Sequence, residues 1–168
     1  MTETELKDYI AAIRPADRDA MAAARQRQAQ LAKPPGSLGA LEDMSVRLAG
    51  VTGRVCPPMN RCRVAVFAAD NGVVDEGVSC APRSVTVQQA VNMTRRKTGM
   101  SAMAAAFGDD VAVVDVGMDC GTTPAGILNR RVRRSTGDIV IEDAMTRPQA
   151  LAAMAAGMEQ AAIARADG

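Results

Sequence analysis

Two short apolar runs constrain this chain more than any other feature. Val64-Ala65-Val66-Phe67-Ala68-Ala69 leads straight into Asp70-Asn71-Gly72, and Val111-Ala112-Val113-Val114 leads into Asp115-Val116-Gly117. Apolar runs of this length, without polar alternation, read as strands buried on both faces. Between them Ser84 is positioned to cap a helix to about residue 95, Gly99 marks a junction, and a second helical piece with Met100, Met103 and Ala104 ends at Phe107-Gly108. Strand, helix, strand in that order implies a parallel pair joined by a right-handed crossover. In open α/β sheets ligands bind beyond the carboxyl ends of the strands, so Asp70 to Ser79 becomes the candidate site. Taken alone, Asn71-Gly72 is also an ordinary turn dipeptide.

The rest of the chain is arranged around this unit. Thr2 and Glu5 have capping-box spacing, Leu6, Tyr9, Ile10 and Ile13 follow at helical intervals, and Pro15 closes a first helix. A second helix is expected from its cap Asp17 to about Leu31, and Lys33-Pro34-Pro35-Gly36 breaks it. Ser37 is positioned to cap a third helix whose apolar face is Leu41, Met44, Leu48 and Val51. Residues 54–62, with Pro57-Pro58, read as a linker. The expected division is a helical segment over 1–54 and a partial α/β domain over 55–168. A third strand is expected within Val132 to Ile141. A final helix is expected after the cap Thr146, with Pro148 in its first turn and Leu151, Met154, Met158 and Ala161 on one face. Two or three parallel strands cover too little surface to stand alone. The chain therefore reads as part of a larger domain that tends to associate.

Composition removes several kinds of chemistry. The 168 residues include no His, which excludes His-based metal sites, Ser-His-Asp triads and Cys-His dyads. General-base work then falls to Asp or Glu. Cys56, Cys62, Cys80 and Cys120 form no C-x-x-C pair, so neither a zinc knuckle nor a redox dithiol is indicated, and scattered thiols fit a reducing cytoplasm. A formal charge of +1 gives no basic excess for a nucleic-acid partner. The one basic cluster, Arg130 to Arg134, reads either as a solvated face or as an anion contact. No apolar run approaches membrane-spanning length, and the acidic Met1 to Glu5 is not a signal peptide. The core must be built from Ala and Met, since there is no Trp, one Tyr and two Phe.

Two long strings are highly specific: Lys33-Pro34-Pro35-Gly36-Ser37-Leu38-Gly39 followed by Leu41-Glu42, and Ala69-Asp70-Asn71-Gly72-Val73-Val74-Asp75-Glu76-Gly77-Val78-Ser79. Val114-Asp115-Val116-Gly117, Ser135-Thr136 and Ala144-Met145-Thr146-Arg147 follow in order. Together they resemble the nicotinate-nucleotide–dimethylbenzimidazole phosphoribosyltransferase family from about residue 5 onward. The resemblance implies a parallel, Rossmann-like α/β sheet with a small helical unit, a homodimer, and no cofactor or metal. It implies transfer of the phosphoribosyl group of nicotinate mononucleotide to dimethylbenzimidazole or a related base, giving α-ribazole phosphate and nicotinate for the lower ligand of cobalamin. The alternative is a truncated, non-catalytic remnant that folds, or binds a base or partner chain, without turnover.

Members of the family are roughly twice as long. The resemblance puts their glycine-rich Gly-Glu-Met-Gly-Ile-Gly-Asn phosphate segment and their proposed glutamate base in the part that has no counterpart here. No catalytic residue is therefore assigned, and the adjacent Asp75 and Glu76 are not taken as a catalytic pair. Asn71 stands where many members have His, and Arg96-Lys97 where a glycine pair is more familiar. The Val85-Thr86-Val87-Gln88 string makes Gln88 the leading base-binding candidate, with Ser79 and Cys80 on the loop over the base. Asp70 either bonds ribose or fixes the loop, with an Asx turn to the following backbone as the plain alternative. Asp115 and Gly117 are expected along the ribose side, and Asn71 and Gly72 among the substrate-binding residues of the loop after the first strand. Pro35, Gly36 and Ser37 are expected to be either ligand-side packing or simply a linker and helix start.

Overall fold

The structure is a computed structural model that describes residues 1–59 and 62–167. It divides into two compact units, Asp8–Asn60 and Met1–Lys7 with Arg61–Gly168. Helix α1 (Glu3–Ala11) begins in the second of these and runs into the first. Its capping box forms as expected: the Thr2 N–H donates to Glu5 Oε2 at 2.7 Å and the Glu5 N–H to Thr2 Oγ1 at 3.2 Å. Of the linker expected at 54–62, Asn60 and Arg61 lie outside the described residues.

The helical unit is an α2 (Arg18–Ala29) and α3 (Ala40–Thr52) pair. Asp17 caps α2 by accepting from the Ala20 N–H at 2.9 Å, and its own N–H donates to the Gly50 carbonyl of α3 at 2.8 Å. The packed faces are small: Ala24, Val46 and Ala49, with Met21 and Val55 against them. A Cβ on Gly50 would stand 2.7 Å from Met21 Cγ, so glycine sets this close approach. Of the expected apolar face of α3, Leu41, Met44 and Val51 are 63, 61 and 79% exposed and only Leu48 is half-buried. Close helix packing selects small residues, and these moved the buried face off the large ones. Ser37 does not cap α3. Gly39, at φ +54°, holds that place with no side-chain cap, and Glu42 reaches back to the Leu38 N–H at 3.2 Å instead.

The α/β unit contains β1 (Arg63–Ala69), a 3-10 turn (Gly72–Glu76), α4 (Ser84–Thr94), α5 (Gly99–Phe107), β2 (Asp110–Gly117), β3 (Leu128–Asn129) and α6 (Arg147–Asp167). The sheet order is β1-β2-β3 and both pairings are parallel. Register runs from Arg63↔Asp110 to Ala68↔Asp115, then slips so that Ala69 faces Gly117. One face of the sheet packs on α4: Ala90, Val113, Met118 and Ile127 form its core, with Ala68, Val87 and Val91 around them. On β1 the other face, Ala65, Phe67 and Ala69, is exposed.

Helix starts differ in cause from the expectation at α4 but not at α6. Ser84 does not cap α4. Arg83, already helical, precedes it, and the first turn is closed by Val85 and Thr86 N–H groups donating to the Pro82 and Arg83 carbonyls. Thr98 and Ser101 form the box that starts α5, after a turn in which Arg96 takes φ +59°. At α6, Thr146 N–H donates to Gln149 Oε1 at 2.8 Å and Gln149 N–H to Thr146 Oγ1 at 3.4 Å, so Thr146 does cap. Its buried residues are Leu151, Ala156 and Gln160; of the expected face, Met154 and Ala161 are exposed and Met158 is half-buried.

The third strand is not where it was expected. β3 is Leu128–Asn129, and 132–141 contains no strand. Beyond β3 the chain still bonds to the end of β2, with Val132 and Ser135 N–H groups donating to the Val116 and Gly117 carbonyls. It then turns at Ser135 (φ +54°) and folds Ile141 and Glu142 back onto the Asp138 carbonyl. The left-handed residue and this turn leave no extended run for Ile139 to Ile141 to join.

Candidate functional site

The slip between Ala68 and Ala69 frees the chain from the ladder at the sheet's carboxyl edge. Asp70, buried there, is a junction. Its N–H donates to the Gly117 carbonyl at 3.1 Å, and its own carbonyl accepts from the Thr136 N–H at 3.0 Å. Its carboxylate accepts from the Thr86 hydroxyl at 2.6 Å on Oδ1 and from the Asp119 N–H at 2.7 Å on Oδ2. One carboxylate thus joins β1, α4 and the loop after β2. The Asx turn to the following backbone is not formed, since the Gly72 N–H donates to Thr136 Oγ1 and the carboxylate is used on Thr86 and Asp119.

Gly72 is buried against the 136–138 loop. Its N–H donates to Thr136 Oγ1 at 3.1 Å, and an added Cβ would lie 2.5 Å from the Asp138 N and the Gly137 carbonyl carbon. Those are backbone atoms, so only glycine allows the turn to seat here. The turn then forms the outer wall of a cleft of about 400 Å³. Val73, Val74 and Val78 line one side, and Pro82 and Val85 the other. Asn71, Ser79, Thr86 and Gln89 supply its neutral polar groups, and Asp70 and Arg83 its charged ones. The cleft suits a flat, largely apolar ligand with one or two hydrogen bonds at its edge.

Asp70, Asn71 and Ser79 therefore meet in one cleft, with Gly72 seated beneath its wall. Cys80 is exposed next to Ser79 and does not line the cleft. Gln88 does not line it either. Gln88 is exposed on α4, and the lining amide is its neighbour Gln89. Pro35 and Gly36 line a different cavity of about 250 Å³ within the helical unit, beside Lys33, Glu42 and Gln28. There Lys33 Nζ sits 2.6 Å from Glu42 Oε1, and that ammonium holds the Glu42 carboxyl below the usual range. Ser37 is exposed, outside that cavity's lining.

Asp115 is completely buried. Its Oδ1 accepts from the Gly117 and Met118 N–H groups at 3.1 and 2.9 Å. Its Oδ2 accepts from the Thr123 hydroxyl at 2.6 Å and from Arg131 Nη2 and Nε at 2.7 and 3.0 Å. Burial pushes this carboxyl up, but the bonds from Arg131, Thr123 and the Met118 N–H together hold it below the usual carboxylate value. The carboxylate braces the loop after β2, and Gly117 supplies the carbonyl that accepts from Asp70 and Ser135.

The arginine cluster resolves the same way. Arg130 grips Glu159 with two bonds of 2.6 Å, Arg131 holds Asp115, and Arg134 holds Asp119 at 2.8 Å. Arg83, Thr86, Asp119 and Thr136 were not legible as site residues. Thr86 and Thr136 stand inside the quoted strings, but their partners Asp70 and Gly72, 16 and 64 positions away, are not visible there. Among the described residues no group of three or more His, Cys, Asp or Glu is placed to hold a metal, and the four cysteines are free. No described helix is long and apolar enough to cross a membrane.

Ser135 carries local strain. It sits at φ +54°, it is buried, and its hydroxyl has no hydrogen-bond partner. The left-handed conformation costs a side-chain-bearing residue ~1–2 kcal/mol, and a buried unpaired hydroxyl adds a penalty of about 1–3 kcal/mol. Glycine's greater unfolded-state freedom offsets part of the gain, by roughly 0.5–1 kcal/mol. Ser135→Gly is expected to stabilise the protein by at least about 1 kcal/mol in urea unfolding. Destabilisation by this variant would contradict the account of the turn.

A family model described as phosphoribosyltransferase matches residues 13–168. A protein of Geobacter sp. (strain M21), named nicotinate-nucleotide–dimethylbenzimidazole phosphoribosyltransferase, is 40% identical over 164 residues, which are 97% of this chain and 47% of that one. A Yersinia enterocolitica protein of the same name is 46% identical over 145 residues, 86% of this chain and 41% of its own. The crystal structure of the Thermus thermophilus protein of that name superposes with a TM-score of 0.79 at 42% identity, covering 90% of this chain and 46% of that one. This chain thus spans somewhat less than half the length of these relatives. With a family model matched over nearly its whole length and a fold shared at this identity, the chain belongs to the phosphoribosyltransferase family of the nicotinate-nucleotide–dimethylbenzimidazole enzymes.

Proposed function

We propose that this chain supplies the base-binding side of an enzyme that moves the phosphoribosyl group of nicotinate mononucleotide onto dimethylbenzimidazole or a related base. The observation that carries the reading is the cleft at the carboxyl edge of β1, with Val73, Val74, Val78, Pro82 and Val85 on its walls and polar or charged groups at Asp70, Asn71, Ser79, Arg83, Thr86 and Gln89. In the reaction the bond from ribose C1′ to the nicotinate nitrogen breaks. A ring nitrogen of the incoming base bonds to C1′ and its ring proton passes to a general base. Nicotinate leaves, and α-ribazole phosphate is the product. Positive charge develops on the ribose as the leaving group departs, so holding the base in line is the main service a slot can give.

In this reading Ser79 and Asn71 bond the edge of the base and Cys80 lies at the rim. Asp70, Gly72, Asp115 and Gly117 shape the ribose side through the scaffold described above. Pro35, Gly36 and Ser37 belong to a loop held by Lys33 and Glu42. The exposed β1 face of Ala65, Phe67 and Ala69 supports a further proposal, that this face of the sheet is covered by the part the longer relatives possess. A homodimer in the cytoplasm, using no cofactor, completes the reading.

Gln88 and Gln89 separate the family pattern from the cleft geometry. Successive helix residues point about 100° apart, so both amides serve one base only if the slot extends around α4. A neutral hydrogen bond contributes ~0.5–1.5 kcal/mol. Gln89→Ala is expected to weaken dimethylbenzimidazole binding about threefold to tenfold, and Gln88→Ala to do the same only if the slot extends around α4. Calorimetric titration with each substrate separately checks this. A loss seen only for nicotinate mononucleotide, or for neither substrate, overturns the assignment of the base to this cleft.

A further inference from the structure

We infer that Arg83 is a positioning residue of this site, a clasp that holds the Val73–Ser79 wall against α4 and so shapes the slot the base enters. The inference rests on the reading that the cleft takes the base. Arg83 Nη2 donates to Asp75 Oδ2 at 2.8 Å and to the Gly72 carbonyl at 3.3 Å, and Nη1 donates to Asp119 Oδ2 at 3.4 Å. One guanidinium therefore spans the turn after β1, the start of α4 and the loop after β2. Asp119 is itself fixed. Arg134 bonds its carboxylate at 2.8 and 3.1 Å, and its N–H donates to Asp70 at 2.7 Å.

The wall needs such a tie. Among the described residues, the hydrogen bonds of Val73–Ser79 outside the turn's own are those of Arg83 on Asp75 and of Ser79 with Ala81. Gly72 anchors the root through Thr136. The stretch beyond carries Val73, Val74, Val78 and Ser79, which line the cleft. An exposed ion pair is weak by itself. Arg83 gains from its planar fork, which reaches the Asp75 carboxylate with Nη2 and the Asp119 carboxylate with Nη1, whereas a lysine offers a single point charge.

The test compares Arg83→Gln, Arg83→Lys and Asp75→Asn with the unaltered protein. Hydrogen exchange reads the wall, and calorimetry with 5,6-dimethylbenzimidazole and with nicotinate mononucleotide reads the site. Arg83→Gln is expected to speed exchange in peptides covering 72–79 by about tenfold, with 110–117 and α6 unchanged. The base dissociation constant is expected to rise about tenfold while the nucleotide constant stays within about twofold. Arg83→Lys should restore part of both effects. Unchanged exchange at 72–79 overturns the clasp, and faster exchange with unchanged base affinity overturns its role in the site. If Arg83→Gln does not fold, Asp75→Asn, at an exposed position, decides the same two questions. If the unaltered protein binds no base, the reading of the cleft fails and with it the role of Arg83 in base binding, while exchange still decides the clasp.

Discussion

Asp115→Ala is expected to cost about 3–5 kcal/mol of folding stability, the loss typical of removing one partner from a buried ion pair. The carboxylate has no exposed surface, and Arg131, with 15% of its side chain exposed, would be left facing no counter-charge there. The Gly117 and Met118 N–H groups and the Thr123 hydroxyl would lose their acceptor as well. Asp115→Asn keeps the shape but turns an acceptor toward Arg131 into a neutral amide, so it should fall between. The same site makes stability depend on pH. The folded carboxyl lies below its unfolded value, because bonds from Arg131, Thr123 and Met118 outweigh the opposing effect of burial. Its contribution is then complete above the unfolded value of about 4 and is lost as pH falls through the folded value. Urea unfolding followed by circular dichroism at neutral pH and in steps toward pH ~3 checks both statements. A loss below about 1 kcal/mol at neutral pH, or an acid dependence unchanged in Asp115→Ala, would contradict the bracing role.

The strand–helix–strand core was legible because its signals are local. Apolar runs of strand length bounded by Asp and Gly gave β1 and β2 within a residue of their ends, and the Thr2–Glu5 spacing and the cap Thr146 gave the starts of α1 and α6. What was illegible depends on partners far along the chain. The third strand is set by register against Val114 and Asp115 rather than by the β-branched Ile139-Val140-Ile141, which the turn at Asp138 carries into solvent. The stripe of Leu41, Met44 and Val51 looked like a core face, but α2 offers Ala24, and two helices meeting on small residues bury Val46, Ala49 and Gly50 instead. At the site, the rule that ligands bind at strand ends located Asp70, Asn71 and Ser79 in one cleft. Helix phase then separated Gln88 from Gln89, a difference of one residue that motif matching does not see. The arginines at 130, 131 and 134 carry no local sign of their acceptors, which lie 29, 16 and 15 positions away.

Incubated alone with nicotinate mononucleotide and dimethylbenzimidazole, the 168-residue chain is expected to give no turnover at ordinary enzyme rates. The glutamate base and the glycine-rich phosphate segment that the family resemblance implies have no counterpart among its residues. Lack of a general base alone typically lowers the rate ~10²–10⁴-fold, and lack of phosphate positioning adds to that. The most direct measurement is chromatographic detection of α-ribazole phosphate from the chain alone and from the chain mixed with the C-terminal part of the Geobacter relative. Product is predicted only in the mixture, with the Gln89→Ala chain requiring more base to reach the same rate. Turnover by the chain alone would place the catalytic groups within these residues. No product from a folded, associated mixture would contradict the proposed phosphoribosyl transfer and leave a non-catalytic remnant as the account of this chain.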